Sequence, residues 1–368
     1  MRYSMIESVI PKESNIAKPF ISIHILNYNG MKFLQECFDS LLQQDYPNYE
    51  IILIDNGSID GSIKFMQERY SKEIRNKKVR IQKLKKNFGV TGGYNRSFKT
   101  TKADYVLLIG NDTITIDKKF LTILVDAAIK NNSALTSGWE YPVDIKIHNK
   151  KEFKDIKYPT YNILGFCIAN KLTKNESPLV GGGCVLIAKK QIYEPYFPER
   201  YFAYGEDVFL GLETFINYKK MFIERNATYM HYGGGTAKKE SYFVRYHAER
   251  SRLANLLIFY EKKTLLKILP LLFIETTVKG IYYLKKPKNL LAIPHSILWT
   301  LRNFIWILKQ RKRIQEERTI QDKELLKVMG SEIFPEHIYP KISKKLNSFS
   351  KEYCNLVNIN TYDSGDKI

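Results

Sequence analysis

The residues best equipped for chemistry in this 368-residue chain stand in short polar clusters that follow apolar runs. Asn111-Asp112-Thr113 closes the run YVLLIG. A carboxylate in such a place can bind Mg²⁺ or Mn²⁺, cations that take oxygen ligands and bridge diphosphates. Taken singly, an Asp there is more often a turn or cap residue. Glu206-Asp207 follows the aromatic run YFAY and opens an apolar segment. Paired acids at a helix start are favoured by the helix dipole, and one of them can also serve as a general base toward a hydroxyl. His231-Tyr232 runs into Gly233, Gly234 and Gly235, and glycines permit close backbone approach to phosphate. Further polar clusters occupy 27–29, 55–58 and 87–95.

These clusters need elements to hold them. FISIHILNY (20–28), YEIILI (49–54), VRIQKL (79–84) and YVLLIG (105–110) read as short strands rich in β-branched residues. Between them, 31–44 carries Leu34, Cys37, Phe38 and Leu41 at helical spacing, and 61–70, 87–100 and 117–130 read as further helices. Strand–helix alternation predicts an α/β domain with a doubly wound, mixed to mostly parallel sheet. Such sheets bind ligands at the carboxyl ends of their strands, where the polar clusters fall, so one cleft is expected to collect them. A second block, 180–236, adds strands at VGGGCVLIA and near 221–224 around the Glu206-Asp207 segment.

Seven stretches occur in one order: SIHILNYNG, IILIDNGSIDGS, NFGVTGGYN, YVLLIGNDT, VGGGCVLIAKK, RYFAYGEDVFL and MHYGGGT. From Ile21 to Thr236 they resemble glycosyltransferase family 2, the inverting enzymes of GT-A fold, and especially its rhamnosyltransferase-like branch. The resemblance implies a sugar moved from a nucleotide-diphosphate donor to an acceptor hydroxyl with help from Mg²⁺ or Mn²⁺. It implies base and ribose contacts at Asn27, Tyr28 and Asn29, base recognition by Asp55, and a nucleotide-lining loop at Asn87, Gly92, Gly93 and Asn95. Asn111 takes the first place of the acidic metal motif, which leaves Asp112 as its one carboxylate. Asp207 matches the catalytic base with Glu206 beside it, Gly181, Gly182 and Gly183 match an acceptor-side loop, and His231 matches a position that touches metal or diphosphate. The branch usually carries a further acid where Phe209 stands. The branch favours dTDP-rhamnose, with UDP-sugars as the other donor class, and acceptors in cell-surface or lipid-linked glycans. A catalytically silent sugar-nucleotide-binding or scaffold protein of the same fold is the other reading. A nucleotidyltransferase would need a Gly/Lys-rich phosphate loop after the first strand, which Asn27 to Gly30 do not supply.

The formal charge of +20 calls for an acidic partner. Residues 241–320 hold 16 Lys and Arg against 5 Asp and Glu, so more than half of the excess lies there. Leu298, Leu301, Ile305 and Leu308 form one helical stripe among Trp299, Phe304, Trp306 and basic neighbours. That pattern suits an anionic membrane surface, or a stripe packed on the catalytic domain or on a second copy in a homo-oligomer. No nucleic-acid motif accompanies the charge. The expected organisation is a catalytic domain over 1–240, a basic amphipathic helical extension over 241–325 and a weakly structured tail over 326–368. The four cysteines have no metal or redox spacing, and the first residues (MRYSMIESVIPKES) show no apolar leader segment. A cytoplasmic protein, peripheral on the membrane face, is expected.

Overall fold

The computed structural model describes residues 18–142, 158–170, 183–217, 219–233, 241–284, 287–335, 339 and 341–363. Strands β1 (Ile21–Asn27), β2 (Tyr49–Asp55) and β3 (Val79–Lys83) alternate with helices α1 (Met31–Leu42), α2 (Ser62–Arg69), α3 (Ser71–Arg75) and α4 (Gly89–Phe98). Then come β4 (Tyr105–Gly110), β5 (Thr113–Thr115), α5 (Phe120–Asn131), β6 (Leu135–Pro142), the hairpin β7 (Tyr158–Tyr161) and β8 (Cys167–Asn170), β9 (Cys184–Ala188), α6 (Glu206–Ile216) and β10 (Met221–His231). Eight strands form one sheet in the order β3-β2-β1-β4-β9-β6-β10-β5.

β1 pairs in parallel with both β2 and β4, and β9 runs antiparallel to β4 and β6. The sheet is therefore mixed, with a parallel half built as the alternation predicts. β1 and β2 are buried almost throughout, which explains their unbroken apolar reading. The chain leaves β1 toward β2 and β3, then returns to place β4 on the other side of β1. That reversal opens a crevice at the ends of β1 and β4. In α1 the predicted stripe of Leu34, Cys37, Phe38 and Leu41 is buried against the sheet. β6 and the β7–β8 hairpin carry no clear alternation and were not expected. Thr136 and Ser137 of β6 are wholly buried but polar.

The remaining helices are α7 (Tyr242–Phe259), α8 (Lys262–Tyr283), α9 (Pro287–Leu290), α10 (Ala292–Arg302), α11 (Phe304–Glu317), α12 (Asp322–Leu326) and α13 (Ser343–Leu356). No described helix is long and apolar enough to cross a membrane. A second apolar core crosses both expected domain boundaries. Val208, Phe209, Leu212 and Ile216 of α6 pack in it with Ile258 and Phe259 of α7, Ile307 and Ile314 of α11, and Phe334, Cys354 and Ile359 beyond. The residues after 241 thus share a core with α6 instead of hanging from the sheet domain. Phe209, where an acid was expected, packs edge-on against Tyr201 and Phe259 at 6.0 and 5.1 Å between ring centres.

The tail expected to be weakly structured contains α13. Its buried face is Ser343, Asn347, Ser350 and Cys354, a helical spacing of small polar residues that a hydrophobic reading passes over. Asn347 bonds both backbone groups of Phe334, at 2.9 and 3.0 Å, and Ser350 donates to Ser331 O at 2.7 Å. Polar groups paired in this way are tolerated in a core.

Candidate active site

A cavity of about 320 Å³ lies at the crevice. Eight residues singled out in the sequence line it: Tyr28, Asn87, Asn111, Asp112, Gly183, Glu206, Asp207 and His231. Strand register explains the first wall. Asn27 at the end of β1 stands level with Asp55 of β2, and Leu26 with Gly110 of β4, so the three polar clusters meet.

Asn27 is wholly buried and forms the tie between those clusters. Its amide donates to Ser58 at 3.1 Å and to Asp55 at 3.4 Å, while its oxygen accepts from Asn111 at 2.9 Å. Asp55 is buried too and accepts the Ser58 N–H at 3.1 Å. Asn29 is exposed and accepts the Ile59 N–H at 2.8 Å. Asn27, Asn29 and Asp55 therefore shape the strand ends and do not line the cavity.

The 87–95 cluster divides in the same way. Asn87 lines the cavity, joined there by Asn56, which the sequence reading did not single out. Asn56 fastens the loop by accepting the Phe88 N–H at 2.9 Å and donating to Asn87 at 2.9 Å and Gly89 O at 3.0 Å. Gly92 and Gly93 lie inside α4. A Cβ on Gly93 would stand 2.5 Å from Leu26 Cδ1, so this glycine lets the helix seat on β1. Asn95 binds both backbone groups of Phe197, at 2.7 and 3.1 Å, with its two amide ends. These three residues are outside the cavity lining and act on its shape.

Another part of the lining comes from α6, which begins with Glu206 and Asp207. The turn before it is strained: Phe202 and Tyr204 have φ of 60° and 64°, and Gly205 caps the helix at 88°. Non-glycine residues in that region cost about 1–3 kcal/mol each. α7 holds the turn from below. Arg250 donates to Tyr201 O at 2.7 Å, Asn255 donates to Gly205 O at 3.2 Å and accepts from Tyr201 OH at 2.7 Å. α7 also brings Phe243 to the cavity beside Phe202 and Tyr204.

The two acids have unlike surroundings. Asp207 accepts the Val208 N–H at 2.9 Å and the Tyr161 hydroxyl at 3.2 Å. Glu206 has its Oε2 enclosed without a hydrogen-bond partner. Burial raises both carboxyls, and the Asp207 charge raises Glu206 further, whereas the two donors counter the rise at Asp207. One proton held by the pair therefore rests on Glu206 and leaves Asp207 anionic. The Glu206 carboxyl titrates in the folded protein above its unfolded value of about 4.3, so its contribution to stability is intact below that value. It is lost as pH rises through the folded one. Glu206→Gln is accordingly expected to raise unfolding free energy by about 1 kcal/mol near pH 9 and to change little near pH 4. Urea denaturation at both pH values checks this, and equal gains at both would be inconsistent with it.

Asp112 sits at the β4–β5 corner. His231 on β10 approaches its Oδ1 through Nε2 at 3.2 Å and meets Glu140 of β6 through Nδ1 at 3.1 Å. Burial alone would lower the imidazole, but the bonds to Asp112 and Glu140 outweigh it and push it up to about 10. A Cβ added at Gly110 would lie 2.8 Å from Asp112 Oδ1, 3.1 Å from Thr113 Oγ1 and 3.9 Å from Gly183 O. The Thr113 hydroxyl oxygen is buried without a partner. Oxygen donors thus converge at this corner. Among the described residues no three His, Cys, Asp or Glu side chains form a closed metal cage. The donor set fits a hard divalent cation that completes its shell with diphosphate oxygens, a role needing only one or two protein carboxylates. Glu140 and Tyr161 escaped the sequence reading because β6 and β7 did. Gly181, Gly182 and the 234–236 part of the glycine run lie outside the described residues.

Residues 22–197 match the family model Glycosyl transferase family 2. That stretch takes in Asp112 and stops short of Glu206, Asp207 and His231. Glycosyltransferase GlyG of Streptococcus pneumoniae is 30% identical over 103 residues, 28% of this chain and 33% of its own length. Poly(ribitol-phosphate) beta-glucosyltransferase of Bacillus spizizenii is 32% identical over 120 residues, 32% of this chain and 18% of its own length. The matched stretches thus span well under half of these relatives. Among solved structures, GalNAc-T7 with UDP, GalNAc and Mn²⁺ superposes with a TM-score of 0.54 at 14% identity, covering 67% of this chain and 49% of that one. The fold is a GT-A-like mixed sheet of eight strands with flanking helices and a helical C-terminal region.

Proposed function

We propose that this chain, which carries a Glycosyl transferase family 2 domain over residues 22–197, transfers a sugar from a nucleotide-diphosphate donor to an acceptor hydroxyl with inversion. The observation that carries the reading is one cavity lined by carboxylates from two separate elements. Asp112 is at the strand-end wall, and Asp207, anionic beside a protonated Glu206, is at the helix wall.

Asp207 accepts the proton of the acceptor hydroxyl as that oxygen attacks the anomeric carbon. The bond from that carbon to the diphosphate breaks on the opposite face, which inverts the centre in one displacement. Tyr161 and the Val208 N–H keep Asp207 ionised and aimed, and Glu206 withholds a second charge from the same wall. Tyr28, Asn87 and Asn111 line the cavity toward the nucleotide, with Asn27 fixing Asn111 and Asn56 fixing Asn87. Asp112 and Thr113 would hold Mg²⁺ or Mn²⁺, and His231 would contribute Nε2 only after losing the proton it now shares with Asp112 and Glu140. When bound, the cation neutralises charge developing on the leaving diphosphate. The UDP and Mn²⁺ named for GalNAc-T7 are in keeping with this assignment.

Phe202, Tyr204 and Phe243 edge the acceptor end, where apolar ring faces can receive a sugar or polyol. The relative named for glucosyl transfer to poly(ribitol-phosphate) supports an acceptor in a cell-surface polymer. Calorimetric titration with dTDP-rhamnose and UDP-sugars, each with Mn²⁺, Mg²⁺ or chelator, tests the reading. One donor is expected to bind in the metal's presence and to release nucleoside diphosphate when acceptor is added. No release with any donor would favour a silent sugar-nucleotide-binding protein.

A further inference from the structure

α8 is built inside out. Its buried face carries Glu275 and Lys279 as well as Ile268 and Leu271. Those charges close a buried network with Glu249 and Arg252 of α7. Lys279 bonds Glu249 and lies 2.6 Å from Glu275, and Arg252 reaches Glu249 at 2.7 Å. The opposite face offers Leu266, Leu269, Phe273, Ile281 and Leu284 to solvent, Phe273 being 74% exposed. An ordinary surface helix has the reverse pattern.

A second apolar stripe lies on α10 and α11. Helical hydrogen bonds run through Asn303, which joins them, so Leu298, Leu301, Ile305 and Leu308 share one face as their spacing predicts. All four are exposed, while Ile307 and Ile314 of the same element face the core. The stripe therefore does not pack on the catalytic domain. A shallow groove joins the start of α8 to α11: Glu261, Lys262 and Lys263 line it with Leu308, Arg311, Lys312 and Gln315, so four cations face one acid there. Of the exposed large hydrophobic residues in the described chain, those between 266 and 308 make up about half, and Leu308 among them lines the groove with these cations.

We infer that α8 and α10–α11 form one docking face for an anionic lipid bilayer, with the two apolar stripes at the acyl boundary and lipid phosphates in the lysine-lined groove. Charge complementarity selects this occupant. Lys262, Lys263, Arg311 and Lys312 outnumber Glu261 in the groove, and residues 241–320 carry 16 Lys and Arg against 5 Asp and Glu, an excess that a second copy of the same face would repeat and that anionic headgroups neutralise. The face lies in the plane of the interface and spans nothing, in keeping with the absence of a long apolar helix among the described residues.

The test uses the full chain and vesicles of phosphatidylglycerol with phosphatidylcholine, compared with phosphatidylcholine alone, and reads pelleting without any turnover. Binding is expected to the anionic vesicles at low salt and to weaken as salt rises. Leu269→Ser with Phe273→Ser, and separately Lys262→Gln with Lys263→Gln and Lys312→Gln, are each expected to lower partitioning by about tenfold or more, with melting curves retained. Absence of binding to anionic vesicles at low salt overturns the inference. So does undiminished binding by the serine variant, and so does a solution dimer that this variant converts to monomer.

Discussion

Asp207→Asn is expected to lower turnover by about 10³-fold while donor affinity stays within a factor of about two. The substitution keeps the shape of the side chain: Oδ1 still accepts the Val208 N–H, and the amide NH2 that replaces Oδ2 can donate to the Tyr161 hydroxyl oxygen, so the α6 start is preserved. Only the capacity to take a proton goes. Asp207 belongs to α6, whereas Tyr28, Asn87 and Asn111 stand after β1, before α4 and after β4, so the substitution leaves the side chains assigned to the nucleotide in place. Steady-state kinetics with saturating acceptor, paired with calorimetry of donor binding, separates the two effects. Residual turnover within about tenfold of the parent would remove Asp207 from the role of base.

Asp112→Ala is expected to weaken metal-dependent binding of nucleoside diphosphate by about 100-fold or more. With Asn111 in the first place of the motif, Asp112 is the carboxylate among the converging oxygens at the β4–β5 corner, and Thr113 Oγ1 and Gly183 O are neutral donors. Loss of that charge leaves the corner without an anionic ligand, while His231 retains Glu140 on its other nitrogen. Titration with UDP in Mn²⁺ and again in chelator is the measurement. The parent is expected to show a large difference between the two conditions and the variant almost none. Equal metal dependence in both proteins would mean that the cation is held elsewhere.

Much of this site was legible before any coordinates. The β-branched runs of β1, β2 and β4 and the polar clusters at their ends follow from local composition, and Asp112, Asp207, Tyr28 and Asn87 line one cavity. Other residues of the motifs serve the site at one remove. Asn27 and Asp55 are buried ties, Gly93 is a packing gap for Leu26, and Asn95 clamps Phe197. A motif marks which residues matter together and does not say which of them face the ligand. Glu140, Tyr161 and α13 were hidden because their elements bury small or polar side chains, whose cost is met by hydrogen bonds that periodicity does not record.

The sequence by itself determined the parallel half of the sheet, the helix stripe of α1 and the collection of polar clusters at one edge. Each depends on residues a few positions apart, where side-chain direction follows from the helix or strand period. Tertiary structure decided the rest. Asn27 meets Asn111 across 84 positions and Tyr161 meets Asp207 across 46. The strained turn before α6 exists because Arg250 and Asn255 of α7 hold it. The same helix, together with α8, places ion pairs inward and leaves leucines and phenylalanine outward, so the segment that looked like an appendage both supports the turn before Asp207 and supplies the exposed apolar face. Such pairings depend on how distant segments pack, and no local period encodes them.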